Sequence, residues 1–176
     1  MPMRDPFLVL LDRDGTINID RKYLADPAGL EFLPGALEGL TTLRDAGAVL
    51  AIVTNQSGIG RGMFDREQAE TVNDHLVSML SAHGIEIAHI GMCPHAPDDG
   101  CNCRKPAPGL ALEIAEATGL PLDQAWVIGD KTSDTGLADA VGARGILITD
   151  DPLASPAEAF TAGDLVEAAG IILAEG

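Results

Sequence analysis

Asp12 and Asp14 stand two residues apart in Asp12-Arg13-Asp14-Gly15-Thr16, directly after the apolar run 7–11. Carboxylates this close repel each other unless a cation lies between them. Mg²⁺ suits the position, because it takes oxygen ligands, few protein carboxylates and a substrate phosphate oxygen. Gly15 permits a sharp turn that exposes both acids. A bare Asp-x-Asp-Gly also fits an Asx turn that merely closes a strand. The longer run through Thr16, following a strand, favours the chemical reading.

A second constellation is Cys93-x-His95 followed by Cys101-x-Cys103. An odd number of cysteines packed into so short a stretch is a poor disulfide framework. Three thiolates and an imidazole are instead a closed four-ligand set for Zn²⁺. With no open position for water, such a site would be structural and would order its loop. The bland alternative is four unconnected buried residues; Pro94, Pro97 and Gly100, which shape the loop, speak against it. Arg104 and Lys105 follow directly, so the loop would set their positions. His75, His83 and His89 read as ordinary helix or strand-edge residues.

These residues need a frame. Apolar runs at 7–11, 48–53, 85–92, 125–128 and 145–148 read as five strands. Each is followed by a loop and a helix-period segment, which argues for a parallel sheet covered on both faces. Leu37, Leu40 and Leu43 form one helical stripe, and Ala69, Val72, Leu76, Met79 and Leu80 a second. Leu110, Ile114 and Ala115 open a third, Leu137, Ala138 and Val141 a fourth, and Leu165, Ala168, Ala169 and Ile172 a fifth. All five stripes read as core. The expected fold is a three-layer, Rossmann-like α/β arrangement in one domain over residues 1–176. Such sheets hold ligands beyond the carboxyl ends of their strands. Asp12 and Asp14, then Thr54-Asn55-Gln56, then Cys93-Pro94-His95, then Gly129-Asp130-Lys131 fall there, at four successive strand ends.

Composition narrows the partners. The formal net charge is −16, which repels nucleic acid and anionic membranes. A phosphate-binding protein so acidic must place its cations locally. The only lysines are Lys22, Lys105 and Lys131, and two of them fall beside the motifs above. No apolar stretch reaches the roughly 20 residues of a membrane span. The start of the chain, residues 1–6, lacks the long apolar core and small-residue cleavage site of a signal peptide. The chain therefore reads as a soluble, cytoplasmic protein with a small-molecule substrate, working as a monomer.

The motif Asp12-x-Asp14-Gly15-Thr16 resembles that of the haloacid dehalogenase superfamily. The resemblance spans residues 7–150 and implies a family fold without a large cap, since only about forty residues separate Asp14 from Thr54. It implies that Asp12 is a nucleophile on phosphorus and that Asp14 is the general acid and base. It implies that Thr54 and Lys105 stabilise the phosphoryl group. It also implies a Mg²⁺ site made by Asp12, the backbone carbonyl of Asp14, and Asp130, with Asp134 behind it or capping a helix. Asp-Arg-Asp-Gly-Thr-Ile-Asn, Thr-Asn-Gln-Ser-Gly-Ile-Gly-Arg-Gly and Cys-Pro-His with Cys-x-Cys-Arg-Lys-Pro are similar to the heptose-bisphosphate 7-phosphatases. Histidinol-phosphate phosphatases share the zinc loop and are the nearest rival. The heptose branch implies sugar and distal-phosphate contacts from Asp20, Arg21, Lys22, Tyr23, Asn55, Gln56, Ser57, Arg104 and Lys131. A zinc-stabilised module that binds without catalysis is the remote alternative.

Overall fold

The run at 7–11 forms β1 (Phe7–Leu11), the strand from which the sheet is built in both directions. The computed structural model describes residues 5–151, 153–154, 156 and 159–176. Of the charged start of the chain, residues 1–4 lie outside them. The other strands are β2 (Ala48–Asn55), β3 (Ile87–Cys93), β4 (Trp126–Gly129), β5 (Arg144–Ile148) and β6 (Phe160–Ala162). Among the described residues they make one sheet in the order β3-β2-β1-β4-β5-β6, and every pairing is parallel. The helices are α1 (Ala36–Asp45), the single turn α2 (Ser57–Gly60), α3 (Arg66–Ser81), α4 (Gly109–Thr118), α5 (Thr132–Val141) and α6 (Leu165–Glu175).

Strand periodicity divides the core in two. Val9 and Leu11 face one side, with Leu40 and Leu43 of α1, Val72 and Leu76 of α3, and Ala168 and Ile172 of α6. Leu8 and Leu10 face the other, with Leu110 and Ile114 of α4 and Leu137 of α5. Alternate residues of a strand point to opposite faces. A strand apolar at every position therefore has both faces covered, and β1 is buried from Leu8 to Leu11. The helical stripes read from the sequence are the faces that pack here, except at Ala115, which belongs to neither cluster.

The bounds of several strands differ from the sequence reading, β2 running on to Asn55 and so taking in Thr54, and two differences are larger. A sixth strand, β6, pairs with β5 at the sheet edge. Its three residues, Phe-Thr-Ala, are too few to show a period and carry one large apolar side chain. The third strand runs from Ile87 to Cys93 rather than over 85–92. Ile85 is fully buried, but it packs from the turn after α3, where its N–H donates to Leu80.

The chain leaves β1 for β2 and β3 on one side, then returns to place β4 against the other side of β1. That reversal opens a crevice beyond the carboxyl ends of β1 and β4. Asp12 follows β1 and Asp130 follows β4, and the Asp12 N–H donates to the carbonyl of Ile128 at 2.9 Å. The topology thus carries the two acids to one place. No helix among the described residues is long and apolar enough to cross a membrane.

Candidate active site

The crevice holds a cavity of about 390 Å³ lined by Asp12, Asp14, Asp20, Lys22, Tyr23, Asn55, Gln56, Ser57, Arg104, Lys105, Lys131 and Ser133. At its floor Lys105, 4 % exposed, spends all three ammonium hydrogens. Nζ donates to Asp12 Oδ1 at 2.8 Å, Asp134 Oδ1 at 2.7 Å and the Val53 carbonyl at 2.7 Å. Burial alone would raise the Asp12 carboxyl, but the Lys105 ammonium, with help from Asp130 and Lys131, holds it below the ordinary range. Burial likewise opposes charge on Lys105, yet Asp12 and Asp134 hold its pKa above that of a free lysine. Asp12 is thereby kept as a carboxylate, one oxygen fixed and the group 6 % exposed.

Asp134 belongs to this arrangement more fully than the sequence suggests. Its Oδ2 accepts the N–H of Lys131 at 3.1 Å and so caps α5, while Oδ1 anchors Lys105. A helix-capping acid is readable from sequence; a salt bridge to a residue 29 positions earlier is not.

Carboxylate oxygens of Asp12, Asp130 and Asp134 lie within 4.8 Å of one another. Burial first, and then the neighbouring Asp12, push the Asp130 carboxyl up to about 7. Its Oδ1 is buried without a hydrogen-bond partner, and Lys131 Nζ stands off at 3.5 Å. An orphaned oxygen in a cluster of like charge is what a divalent cation would satisfy. Gly15 closes the same space, with φ of +84°. A Cβ there would run into the Asp130 carboxylate, so only glycine lets the first loop pass this acid.

The Asp14 side chain turns the other way. It accepts from Arg13, Asn18 and Gln56, the last through Oδ2 at 2.9 Å. Gln56 also donates to Thr54 Oγ1 at 2.8 Å, which leaves the Thr54 hydroxyl hydrogen to be given elsewhere. Asn55 grips the backbone of Lys105 with both ends of its amide, at 3.1 and 3.4 Å, and ties β2 to the segment after the cysteines.

Loop residues line the cavity mouth. Lys22 and Tyr23 both take left-handed backbone angles, φ 52° and 60°. Left-handed backbone costs roughly 1–2 kcal/mol per non-glycine residue, a strain that persists only where the surroundings impose it. Lys131 lies 3.8 Å from Asp20, drawing this loop toward β4. Arg104 has a buried Nη1 with no partner. Arg21 is the exception among the expected contacts: it does not line the cavity, and its guanidinium pairs with Glu31 at 2.7 Å on the surface. The loop turns Asp20, Lys22 and Tyr23 toward the cavity and leaves Arg21 outside it. Ser133 also lines the cavity, and a serine in the first turn of a helix gives no sequence signal of that.

Beside the cavity, Cys93, His95, Cys101 and Cys103 converge. Sulfur–sulfur distances from Cys93 are 3.2 Å to Cys103 and 3.7 Å to Cys101; His95 Nδ1 lies 3.5 Å from Cys93 and 3.2 Å from Cys103. A tetrahedral Zn²⁺ with bonds of about 2.3 Å to sulfur and 2.0 Å to nitrogen would set these edges near 3.8 and 3.5 Å. The donor set therefore fits a metal ion. Without one the thiols disagree. Burial pushes Cys93 up to about 12, whereas the N–H groups of Arg104 and Cys103 overcome burial to bring Cys101 down to about 7.

A family model for HAD-hydrolase-like proteins matches residues 102–166. A heptose-1,7-bisphosphate 7-phosphatase from Pseudomonas putida is 40 % identical over 142 residues, covering 80 % of this chain and 81 % of that protein. The Helicobacter pylori protein of the same name is 40 % identical over 151 residues, covering 84 % and 86 %. The chain belongs to the heptose-bisphosphate 7-phosphatase family. The crystal structure of the D,D-heptose 1,7-bisphosphate phosphatase from B. bronchiseptica, complexed with magnesium and phosphate, superposes with a TM-score of 0.85. It is 32 % identical, and the match covers 97 % of this chain and 99 % of that one. Family membership makes the chain a phosphatase acting on a small sugar phosphate.

Proposed function

We propose that this chain, acting as a single domain, hydrolyses D-glycero-D-manno-heptose 1,7-bisphosphate at the 7-phosphate, through a phosphorylated Asp12. The observation that carries the reading is Asp12 itself: buried, ionised, and held by Lys105 at the floor of a cavity in a protein of this family. Phosphate monoesters hydrolyse very slowly in water, so electrostatic help must be large. Covalent catalysis divides the barrier into two displacements. Asp12 attacks phosphorus, and Asp14 gives a proton to the departing sugar oxygen. Asp14 then takes a proton from the water that cleaves the aspartyl-phosphate. Lys105 and the Thr54 hydroxyl offset charge on the phosphoryl oxygens. Mg²⁺, held by Asp12, Asp130 and the Asp14 carbonyl, would supply further positive charge to those oxygens.

The distal phosphate sets the substrate class. Lys22, Arg104 and Lys131 line the cavity beyond Lys105, in a chain whose net charge is −16. The unpartnered Arg104 Nη1 suits a phosphate oxygen, which arginine meets with a planar fork. Histidinol phosphate would instead bring an ammonium group toward these cations. Zinc in the cysteine loop would have a structural part, holding Arg104 and Lys105 in place. Kinetics with the heptose bisphosphate and histidinol phosphate side by side test the reading. A higher kcat/KM for the heptose substrate is expected; a preference for histidinol phosphate would overturn the assignment.

A further inference from the structure

Arg13 takes no part in the chemistry above, yet it is the bulkiest fully buried side chain among the described residues. A buried guanidinium is tolerated only when it is paired and hydrogen-bonded. Arg13 Nη2 donates to Asp14 Oδ2 at 2.9 Å and Oδ1 at 3.2 Å, and Nε reaches Oδ1 at 3.2 Å. The remaining nitrogen, Nη1, donates to Asn73 Oδ1 at 2.7 Å. Asn73 lies on α3, is 5 % exposed, and contacts Met92 Sδ of β3 through Nδ2 at 3.6 Å. The guanidinium thus joins the loop after β1 to a helix packed beneath the sheet.

We infer that Arg13 is a positioning residue for Asp14, with Asn73 as its anchor. The inference rests on the reading of Asp14 as general acid and base. In the first step the Asp12–phosphorus bond forms, the bond from phosphorus to the leaving oxygen breaks, and the Asp14 proton moves to that oxygen. In the second, a water oxygen bonds to phosphorus, its proton returns to Asp14, and the Asp12–phosphorus bond breaks. One carboxyl group must serve the leaving oxygen and then the water, which occupy the same side of phosphorus. That demands a fixed carboxyl plane. Asn18, fully buried, donates to Oδ1 at 3.0 Å and completes the frame with Arg13. Gln56 is the one partner of Asp14 that also lines the cavity.

A leaving group that needs no proton separates positioning from simple support of the fold. The value of kcat/KM reports the chemistry only through departure of the first product. It should be measured on heptose 1,7-bisphosphate and on 4-nitrophenyl phosphate, whose phenolate departs unprotonated. Folding is checked by circular dichroism. Arg13→Met should lose about 10- to 100-fold on the sugar phosphate, part of the range that a general acid contributes, and under about 3-fold on the aryl phosphate. Asn73→Leu should repeat the pattern at smaller size, and it decides the matter if Arg13→Met does not fold. Arg13→Lys, which keeps the charge but not the fork, should stay closer to Arg13→Met than to the parent. Equal losses on both substrates, or none, from a folded variant would overturn the inference. Asp14→Asn is the control for the reading beneath it: equal losses in that variant would refute Asp14 as the acid and leave Arg13 without its function.

Discussion

Removing Lys105 should expose how far the site depends on one buried cation. Lys105→Met keeps the length of the side chain and leaves Asp12 and Asp134 facing each other without their shared ammonium. The side chains of Lys105, Asp12 and Asp134 are 3 %, 7 % and 1 % exposed, so water compensates little. Breaking a buried ion pair by removing one partner costs about 3–5 kcal/mol, because a charge is left stranded. For a protein of this size that is a fall in Tm of roughly 6–20 °C. The loss should depend on pH. Lys105 lowers both carboxyls, so without it the folded state takes up protons that the unfolded state does not hold. Stability then falls as pH rises. The difference from the parent should be smaller near pH 5 than near pH 8. Thermal and urea unfolding in metal-free buffer at both pH values provide the assay. Adding Asp134→Leu should restore part of the stability but none of the activity. A Lys105→Met protein within about 1 kcal/mol of the parent at pH 8, or one whose loss ignores pH, would refute the reasoning.

Metal binding has its own pH signature. With no ion bound, the Asp130 carboxyl sits near 7, above its ordinary 3.8, so Mg²⁺ must displace a proton below that pH. Calorimetric titration should find affinity falling as pH drops below about 7 and level above it; affinity flat from pH 5 to 8 would contradict this. The same raised carboxyl means that the metal-free fold loses stability as pH climbs from about 4 to about 7, and Asp130→Asn should flatten that slope. Cys101→Ser should lower bound zinc, raise KM and lower kcat together, because Cys103 abuts Arg104 and Asn55 clamps Lys105. The α/β core, to which the loop cysteines Cys101 and Cys103 pack only at the edge, should persist by circular dichroism; an unaltered KM and kcat would show that the loop does not place the basic pair.

Much of this was legible in the chain because its local patterns agree with one another. Five continuous apolar runs, each followed by a helical stripe, dictate a parallel sheet, and strand ends collect the ligand site. The four soft ligands are close in sequence, so their convergence needed no tertiary knowledge. Pairings across long separations were not legible. Lys105 with Asp134, Arg13 with Asn73 and Asn55 with the Lys105 backbone each depend on how separate elements dock. Nothing in the sequence marks Arg13 as buried, and only the packing of α3 shows it enclosed. The outward turn of Arg21 is equally invisible, since it follows from the loop path that brings Asp20 and Lys22 inward. Strand β6 has too few residues to carry a period.

Phosphate is proposed to pass through Asp12, and a trapped intermediate tests this most directly. The reaction can be quenched in acid within milliseconds of mixing with substrate, the acyl-phosphate reduced with borohydride, and the digested protein read by mass spectrometry. Reduction converts a phosphorylated aspartate to homoserine. Homoserine is expected at position 12 alone, present only after exposure to substrate and absent from Asp12→Asn, which should also lose turnover. Turnover without any modified residue, or modification at Asp14 or Asp130 in place of Asp12, would contradict it.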